Sequence, residues 1–558
     1  MSFSVRNSGV VADFILFNAK LFISGSTSYA VAIRDGWIIG IGSNTEMSCA
    51  LGKSTETIDC KHNLLLPGFV DSHCHTLGMA SSLVGVDCGP DRVDSSESLI
   101  DLIRKRAGQT AHEEWIKGFG YDESSLEGFD HPTRWDLDKA TINHPVRLDH
   151  RSGHATVLNS KALDRAGISR DTPDPMGGII DRDNFSGEPT GVFYESNGFL
   201  RDVIGDTKTD EEFKLGVGRL NQRFLENGIT SINDAGYANG WRRWNTFGEL
   251  RNANLLSCRV SMMVGEECLP EINEEGLSWG SGDSYLWIGH VKLMLTMTTG
   301  LLTPSYKDLV DQVVRAHNFG FPVAIHAVEE EAVRTAVNAI LNSRSTVIKT
   351  LEGESNTDSD NLIFRPIPRD RIEHCSECPP SLLESIKKSG VVISTQPGFL
   401  YWNGDRYLES VDPLLLSCLY PIGELSKFGI PLSFGSDGPV IPLEPWHGIY
   451  SAVTGLSRQG RPVIGPHDVT KREGVSLWEA LKAYSYGGAL AEGTEYFKGH
   501  LKVGHVADII LLRSNFTDPD PIKWLETEVL FTMIGCLLYT SDAADDTPCV
   551  DLGGRRII

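Results

Sequence analysis

Residues 64–75 read LLLPGFVDSHCH and lead from an apolar run into two histidines. The apolar part predicts a buried strand whose carboxyl end carries His73 and His75. Because strand side chains alternate with a period of two, we expect both imidazoles on one face, where they can bind one metal ion. Two nearby histidines also occur by chance, so the meaning of this stretch depends on the other strand ends of the chain.

Three more apolar runs end in side chains that bind metals. They are FPVAIHAV with His326, DRIEHC with His374 and IPLSFGSDG with Asp437. In a parallel barrel, catalytic groups project from the carboxyl ends of the strands. Taken singly, a histidine at a strand end is usually structural, and Ser-Asp-Gly is usually a turn. Together with His73 and His75, these residues predict a metal site built from four strands.

Lys292 lies inside a fifth apolar run, WIGHVKLML. A buried lysine without a partner is costly, since burial disfavours the charged ammonium. We therefore expect Lys292 to have a partner or to be chemically neutralised.

The order of apolar runs and helical stretches indicates the fold class. They alternate through the middle of the chain, which predicts parallel strands with crossover helices. Short β-rich runs separated by turns occupy residues 11–66, and a similar run, ADIILL, stands at residues 507–512. We predict an α/β fold, an elaborated (β/α)8 TIM-type barrel with a small β-sandwich domain formed by both chain termini.

The predicted domain boundaries follow this pattern. The small β domain takes residues 1–66 and 495–535, and its first part has the pattern of an antiparallel sheet. The barrel takes residues 67–494, with insertions at about 76–215 and 345–370. The second insertion is polar and rich in turn residues, so we expect a surface loop there.

The composition argues against several classes of protein. The chain has 558 residues, 41% hydrophobic and 22% charged, which is a globular mixture rather than a disordered or fibrous one. The formal charge of −23 argues against binding to nucleic acid or to an anionic membrane surface. No apolar run approaches the ~18–20 residues of a membrane span, and the N-terminus does not resemble a secretory signal. We expect a cytoplasmic protein.

The 11 cysteines do not suggest a disulfide framework in a chain of this size. Cys375 and Cys378 form a lone CxxC. A zinc ribbon needs a second such pair, so a redox pair is the alternative that stays open.

Residues 536–558 read CLLYTSDAADDTPCVDLGGRRII and show no helical or strand periodicity. They resemble the translation of a transposase-type sequencing adapter over residues 536–545 and 550–558. The alternative is a natural polar tail. We predict a non-native tail, with native residues lost after Gly535 and an unpaired, aggregation-prone edge in the terminal sheet.

The sequence resembles the amidohydrolase superfamily of metal-dependent hydrolases, whose first-strand signature LPGFVDSHCH resembles. The resemblance runs from about residue 11 to residue 535. Within the superfamily the chain is most similar to amidohydrolase family 3, the branch that includes N-substituted formamide deformylases. Four segments carry this closer match: GFGYDES, HPTRWDLD, LDHRSGHATVLNSKAL and GEPTGVFYE.

The resemblance implies a centre of two Zn²⁺ ions held by six residues. These are His73, His75 and Asp437 on the first ion, His326 and His374 on the second, and Lys292 as a carbamylated bridge. Carbamylation would also resolve the burial of Lys292, because it turns the ammonium into an anionic ligand.

One departure from the family concerns the residues after His326. Family 3 commonly shows an Ile-Gly-Asp-like sequence there, whereas this chain has Val328-Glu329-Glu330. His326 and Glu329 thus resemble the HxxE motif of mononuclear deaminases in the superfamily, where the glutamate donates protons. The alternative is an acidic helix start, which the helix dipole favours. Lys292 favours the binuclear interpretation.

The expected reaction is cleavage of a non-peptide C–N bond of the amide or formamide type by a metal-activated hydroxide. Asp437 would act as general base and then as general acid. His154 and Tyr121 are candidate donors to the oxyanion, with a structural hydrogen bond as the alternative for each. Asn159 and Glu195 are weaker candidates.

Two other classes of function stay open, a mononuclear deaminase of a nitrogen heterocycle and a non-catalytic interaction homologue. A non-catalytic relative is expected to have lost ligands, and none of the six is missing. The expected partner is a small-molecule amide-type substrate, although lactone or phosphoester hydrolysis by the same centre is conceivable. A homodimer also stays open.

Overall fold

The computed structural model describes residues 10–21, 29–126, 128, 130–175, 177–205, 209–297, 300–353, 369–463, 474–513, 516, 518 and 520–540, with only the backbone described over 344–353. The chain divides into two compact units. The first comprises Met1–Cys74, Asn221–Asp437 and Leu443–Ile558, and the second His75–Leu220 and Gly438–Pro442. Within the described ranges, no helix is long and apolar enough to cross a membrane.

The strands of the described residues are, in chain order, β1 (Phe14–Leu21), β2 (Tyr29–Arg34), β3 (Trp37–Gly42), β4 (Glu56–Asp59), β5 (Leu64–Pro67), β6 (Phe69–Cys74), β7 (Val86–Asp87), β8 (Ile116–Tyr121), β9 (Val146–His150), β10 (Ala155–Leu158), β11 (Ile179–Arg182), β12 (Pro189–Tyr194), β13 (Ile229–Asp234), β14 (Arg259–Gly265), β15 (Leu286–Met294), β16 (Val323–Ala327), β17 (Arg371–His374), β18 (Val392–Thr395), β19 (Leu432–Phe434), β20 (Ile509–Arg513), β21 (Glu528–Ile534) and β22 (Leu537–Thr540).

The α-helices are α1 (Asn44–Met47), α2 (Thr76–Ser82), α3 (Ser96–Ala107), α4 (Arg134–Ala140), α5 (Ser160–Ala166), α6 (Asn197–Ile204), α7 (Asp210–Glu226), α8 (Trp241–Asn252), α9 (Leu269–Glu274), α10 (Tyr306–Asn318), α11 (Glu330–Gly353), α12 (Leu383–Ser389), α13 (Gly398–Ser410), α14 (Pro413–Leu416), α15 (Ile422–Lys427), α16 (Pro445–Thr454), α17 (Leu477–Lys482) and α18 (Gly488–Glu492).

Eight parallel strands of the first unit form a nearly closed barrel. Their order is β6-β13-β14-β15-β16-β17-β18-β19, and crossover helices separate consecutive strands from β13 onward. The Ser72 hydroxyl donates to the Phe434 carbonyl at 2.7 Å, joining the first strand to the last. Gly435 permits this approach, because a Cβ there would lie 2.6 Å from the backbone nitrogen of His73. The prediction of an α/β fold with a TIM-type parallel barrel agrees with this arrangement.

The crossover helix α10 shows why these segments fold as they do. The Ser305 hydroxyl accepts a hydrogen bond from the backbone N–H of Asp308, which satisfies one of the free donors at the helix start. Leu309, Val313 and Ala316 then fall on one face and are buried. Each barrel strand reads as a continuous apolar run for the same reason: it is covered on both sides.

Strands from both ends of the chain share one sheet, in the order β22-β21-β20-β5-β1-β2-β3, with β4 beside β1. β1 pairs with β2 in antiparallel fashion but with β4 and β5 in parallel, so the antiparallel sheet predicted for residues 11–66 is in fact mixed. β20 pairs with β5 in antiparallel fashion. A sandwich of two sheets stays a prediction, as do the domain boundaries.

Two sequence predictions are corrected by the described residues. Leu537–Thr540 forms β22, which pairs with β21 in antiparallel fashion, so the first residues of the tail do have strand structure and the outer edge of β21 is paired. Helix α11 continues to Gly353, so the surface loop predicted for 345–370 begins as helix. Residues 354–368 and 541–558 lie outside the described part of the chain.

The second unit is built on a six-stranded sheet in the order β11-β12-β10-β9-β8-β7. Strands β7, β8 and β9 are parallel, and β10 is antiparallel to both β9 and β12. The carboxyl ends of β8, β9 and β12 therefore lie at one edge of this sheet.

Candidate metal centre

Five of the six predicted ligands lie at or near the carboxyl ends of barrel strands in the first unit. They are His73 in β6, Lys292 in β15, His326 in β16, His374 at the end of β17 and Asp437 just after β19. Because parallel strands bring their carboxyl ends to one edge, residues far apart in sequence meet there.

His73, His374 and Asp437 form a compact, buried cluster. One potential ligand atom from each lies within 4.8 Å of the others. The Nε2 atom of His73 is 3.5 Å from Oδ1 of Asp437, and the rings of His73 and His374 are 4.8 Å apart. His326 joins them through His374, since the centroids of these two rings are 4.5 Å apart.

Both buried imidazoles of the cluster have Nδ1 held by an oxygen atom. His374 Nδ1 lies 2.9 Å from Oε1 of Gln396, and His73 Nδ1 lies 2.5 Å from Oε2 of Glu373. If Nδ1 carries the proton in each ring, Nε2 carries the lone pair. This is the tautomer that binds a metal through Nε2.

Lys292 is buried as the sequence predicts, with 2% of its surface exposed. Burial lowers the pKa of its ammonium to about 8, against the opposing effect of Glu373 and Asp437. Among the described residues, its Nζ atom has no hydrogen-bond partner. The sequence argument expected a partner or chemical neutralisation, and no partner is present in this part of the chain.

The backbone at two of the ligands is left-handed, with φ of 70° at His374 and 57° at Asp437. Non-glycine residues seldom adopt such angles, and strain of this kind is concentrated at functional sites. At His374 it has a visible result. Successive strand side chains normally point to opposite faces, yet both Glu373 and His374 lie beside the ring of His73.

The loop that carries Asp437 is fixed by Asp71, which sequence reasoning passed over. Its carboxylate accepts hydrogen bonds from the backbone N–H and the hydroxyl of Ser436, at 2.9 and 2.6 Å. The backbone N–H of Asp437 itself donates to the carbonyl of His73 at 2.7 Å. These bonds set Asp437 against β6.

The sequence analysis also missed Arg371 and Glu373 as parts of the site. Both are fully buried, and the guanidinium donates to the carboxylate through Nε at 2.8 Å and Nη2 at 3.0 Å. A signal was present, since two charges spaced by two in a predicted buried strand must face a polar partner.

The remaining predicted residues belong to the second unit. The backbone N–H of His75 donates to the Gly438 carbonyl at 2.8 Å. The Tyr121 hydroxyl is buried 2.8 Å from Nδ1 of His131, and burial raises its pKa well above the ordinary value. His154 Nδ1 lies 2.8 Å from Oε1 of Glu195.

Asn159 has a structural role in the second unit. Its side-chain oxygen accepts hydrogen bonds from the backbone N–H groups of Val146 and Ala162, at 2.9 and 3.0 Å, and so caps α5. This agrees with the expectation that Asn-Ser commonly marks a helix start.

The side chains of the first unit fit a divalent metal. Imidazole and carboxylate groups converge, and two buried nitrogens, Nε2 of His374 and Nζ of Lys292, lack hydrogen-bond partners among the described residues. Nitrogen and oxygen ligands of this kind suit Zn²⁺. Orphaned buried nitrogens are costly, and coordination would satisfy them.

Comparison with known proteins agrees with this geometry. A family model described as Amidohydrolase family, that of amidohydrolase family 3, matches residues 56–535. YtcJ of Bacillus subtilis (strain 168), named as an amidohydrolase, is 26% identical over 552 residues, covering 92% of this chain and 96% of that protein. The N-substituted formamide deformylase of Arthrobacter pascens is 24% identical over 565 residues, covering 94% and 98%.

A solved structure extends the comparison. The crystal structure of an uncharacterized metal-dependent hydrolase from Pyrococcus horikoshii OT3 has a TM-score of 0.69 and 25% identity, covering 91% of this chain and 98% of that one. The family and these relatives support a hydrolase that depends on a divalent metal. Since the family match extends over most of its length, the chain belongs to amidohydrolase family 3.

Proposed function

We propose that the protein cleaves the C–N bond of a small non-peptide amide, with an N-substituted formamide as the favoured substrate class. The observation that carries the proposal is the convergence of His73, His374 and Asp437 within 4.8 Å, in the same barrel interior as the buried Lys292. The similarity to an N-substituted formamide deformylase over nearly the whole chain supports the bond type.

Six residues would hold the metal. His73, His75 and Asp437 would bind one ion, His326 and His374 a second, and Lys292 would bridge them as a carbamate. When bound, Zn²⁺ ions lower the pKa of water toward ~7 and polarise a carbonyl oxygen. His75 is included on the period-of-two argument, because it follows His73 by two residues.

Carbamylation of Lys292 is a simple reaction. The neutral Nζ amine forms a bond to the carbon of CO₂ and releases one proton, leaving an anionic carbamate. Burial favours the neutral amine over the ammonium, and the absence of a hydrogen-bond partner among the described residues leaves Nζ open to the reaction.

Asp437 would carry the proton. Its carboxylate takes a proton from the attacking water and returns it to the departing nitrogen, so that the amine leaves neutral. The hydrogen bond from its own N–H to His73 and the support from Asp71 hold the carboxylate in place.

His154 and Tyr121 are proposed as donors to the developing oxyanion. His154 has 39% of its side chain exposed, which leaves its ring accessible to a ligand. Tyr121 would first have to exchange its hydrogen bond with His131, so we place His154 ahead of it.

A second candidate function is deamination of a nitrogen heterocycle. One observation favours it: Oε2 of Glu329 is buried and has no hydrogen-bond partner among the described residues. A buried carboxylate oxygen of this kind suits a proton donor better than a solvated helix start. The binuclear hydrolase is preferred because Lys292 has no role in a mononuclear deaminase.

The main test is metal analysis of the full chain by mass spectrometry. We expect about two Zn²⁺ ions per chain, falling to one or fewer in Lys292→Ala. One ion per chain, unaffected by this substitution, would reject the bridge. A panel of a formanilide, an N-alkylformamide and a hydantoin, assayed for formate, amine and ammonia, then separates the substrate classes. Ammonia release abolished by Glu329→Gln would establish the deaminase instead.

The proton shuttle has its own test. Asp437→Asn keeps the shape of the side chain but cannot accept the proton, so we expect kcat to fall by about 10²–10⁴-fold. Full turnover by this variant would rule the shuttle out. A cytoplasmic location and a homodimer stay predictions.

A further inference from the structure

Glu373 is held between a cation and a candidate metal ligand. Its Oε2 atom lies 2.5 Å from Nδ1 of His73 and accepts a hydrogen bond from Nη2 of Arg371 at 3.0 Å. Its other oxygen accepts from Nε of Arg371 at 2.8 Å. Both residues have no exposed surface, so no solvent competes for these bonds. The carboxylate therefore has little freedom to turn away from His73.

Arg371 is itself anchored on three further strands. Its guanidinium donates to the side chain of Asn233 at 2.9 Å, to the carbonyl of Ser72 at 2.5 Å and to the hydroxyl of Ser394 at 3.0 Å. These partners lie on β13, β6 and β18. An arginine cannot be deprotonated in a protein, so it remains a cation that keeps Glu373 ionised.

We infer that Glu373 is a positioning residue for the metal centre, fixed by Arg371, that sets the tautomer and orientation of His73. An ionised carboxylate can only accept a hydrogen bond, so His73 must carry its proton on Nδ1 and present the lone pair of Nε2. An imidazole backed by a carboxylate is also a more basic ligand. The inference rests on the proposed metal centre and adds a residue that belongs to none of the six ligands.

The left-handed backbone at His374 gives this arrangement a structural basis. With φ of 70°, the chain turns after Glu373 so that the positioning carboxylate and the next residue, a candidate ligand, both reach the ring of His73. In a regular strand these two side chains would point to opposite faces. The local strain thus allows one short strand to supply a ligand and the support of another ligand.

The barrel interior contains a matched control. Glu492 is another buried glutamate paired with a single buried cation, Lys498, and its Oε2 accepts a hydrogen bond from Asn233 at 2.9 Å. It belongs to the same polar network but makes no contact with His73 among the described interactions. Glu373→Gln and Glu492→Gln therefore remove the same charge from similar surroundings, and only the first removes it from a candidate metal ligand.

The experiment measures Zn²⁺ affinity of the full chain by competition with a chelator, together with the thermal unfolding of the metal-free variants. We expect Glu373→Gln to weaken Zn²⁺ binding by about 10–100-fold and Glu492→Gln by less than about 3-fold, with similar losses of thermal stability in both. Equal losses of affinity in the two variants, or no loss in Glu373→Gln, would overturn the inference, because a merely structural carboxylate does not discriminate.

A measurement on the wild-type chain covers the case in which Glu373→Gln does not fold. Crystals grown with Zn²⁺ should show the anomalous signal of zinc next to Nε2 of His73, with Glu373 still on Nδ1. Zinc bound to Nδ1, or bound directly by Glu373, contradicts the inference. A wild-type chain that binds no Zn²⁺ overturns the proposed function as well, whereas binding that is insensitive to Glu373→Gln overturns this inference alone.

Discussion

The barrel interior and the core of the terminal sheet lie in the same compact unit but are built from opposite kinds of side chain. The sheet core is apolar and includes Val31, Leu65 and Ile509, all with no exposed surface. The barrel interior buries Arg371, Glu373 and the candidate metal ligands. The apolar core stabilises the fold by removing ~25 cal/mol per Å² from water, whereas buried charges must recover their desolvation through pairing.

The difference teaches where stability and function reside. A barrel filled only with branched apolar residues would be easier to fold, yet this one buries a network of polar side chains below its carboxyl edge. One buried ion pair links the two regions: Arg259 of β14 donates to Asp508, just before β20, at 2.6 and 2.9 Å. Four predictions test this division, beginning with that link.

Asp508→Ala should cause the largest loss of stability. It leaves Arg259 buried without its carboxylate, which costs about 3–5 kcal/mol of unfolding free energy. The exposed pair of Arg513 and Glu528 is the control, and Glu528→Ala should cost less than about 1 kcal/mol. Chemical denaturation of both variants measures the difference; equal costs would mean that the buried link has no special weight.

Ile509→Ala should weaken the sheet core without touching the metal centre. The removed atoms leave a cavity in a fully buried position, for a loss of about 2–4 kcal/mol. Zn²⁺ content and kcat of the folded protein should stay unchanged. The same substitution at Ile522, which is 45% exposed, should change stability by less than about 0.5 kcal/mol. A loss of metal in Ile509→Ala would show that the two regions are not independent.

Lys292→Met should have the opposite sign in the metal-free protein. It removes a buried ammonium whose nitrogen has no hydrogen-bond partner among the described residues, so stability should rise by about 1–3 kcal/mol while bound Zn²⁺ falls. Lys498, equally buried but paired with Glu492, is the control, and Lys498→Met should destabilise. Thermal unfolding after chelation measures both. Destabilisation by Lys292→Met would indicate that this lysine supports the fold.

The smallest effect is expected for a less buried pair in the second unit. His150 Nε2 lies 2.6 Å from Oε2 of Glu123, and this contact lowers the pKa of Glu123 from 4.5 to about 2. A lowered folded-state pKa contributes stability above the unfolded value and loses it as the pH falls toward the folded value. Glu123→Gln should thus cost about 1 kcal/mol at pH 7 and nearly nothing at pH 2. A cost independent of pH would exclude the charge as its source.

Much of the barrel was predictable because its signals are local. Each buried parallel strand is a short apolar run, and a ligand at its end is visible in the sequence, as at His73, His326, His374 and Asp437. The prediction for Lys292 succeeded for the same reason, since a lysine within an apolar run has few explanations.

Other features depend on contacts between distant residues. Glu373 follows the pattern of a strand residue facing away from His374, and only the left-handed turn at His374 places both in the site. The parallel pairing of β1 with β4 and β5 reflects which strands meet, and a run of β-formers does not specify its direction. The tail appeared unstructured because four residues are too few to show a period, yet Leu537–Thr540 finds a partner in β21.

The sequence by itself determined the class of chemistry, because the identity of metal-binding side chains at strand ends is written residue by residue. It also determined the family, through motifs that extend over most of the chain. Only the tertiary structure decided how each ligand is held: which oxygen faces Nδ1 of His73, which cation orients that oxygen, and which backbone turn brings both to the site. These are relations between residues hundreds of positions apart, and they exist only when closure of the barrel brings the strands together.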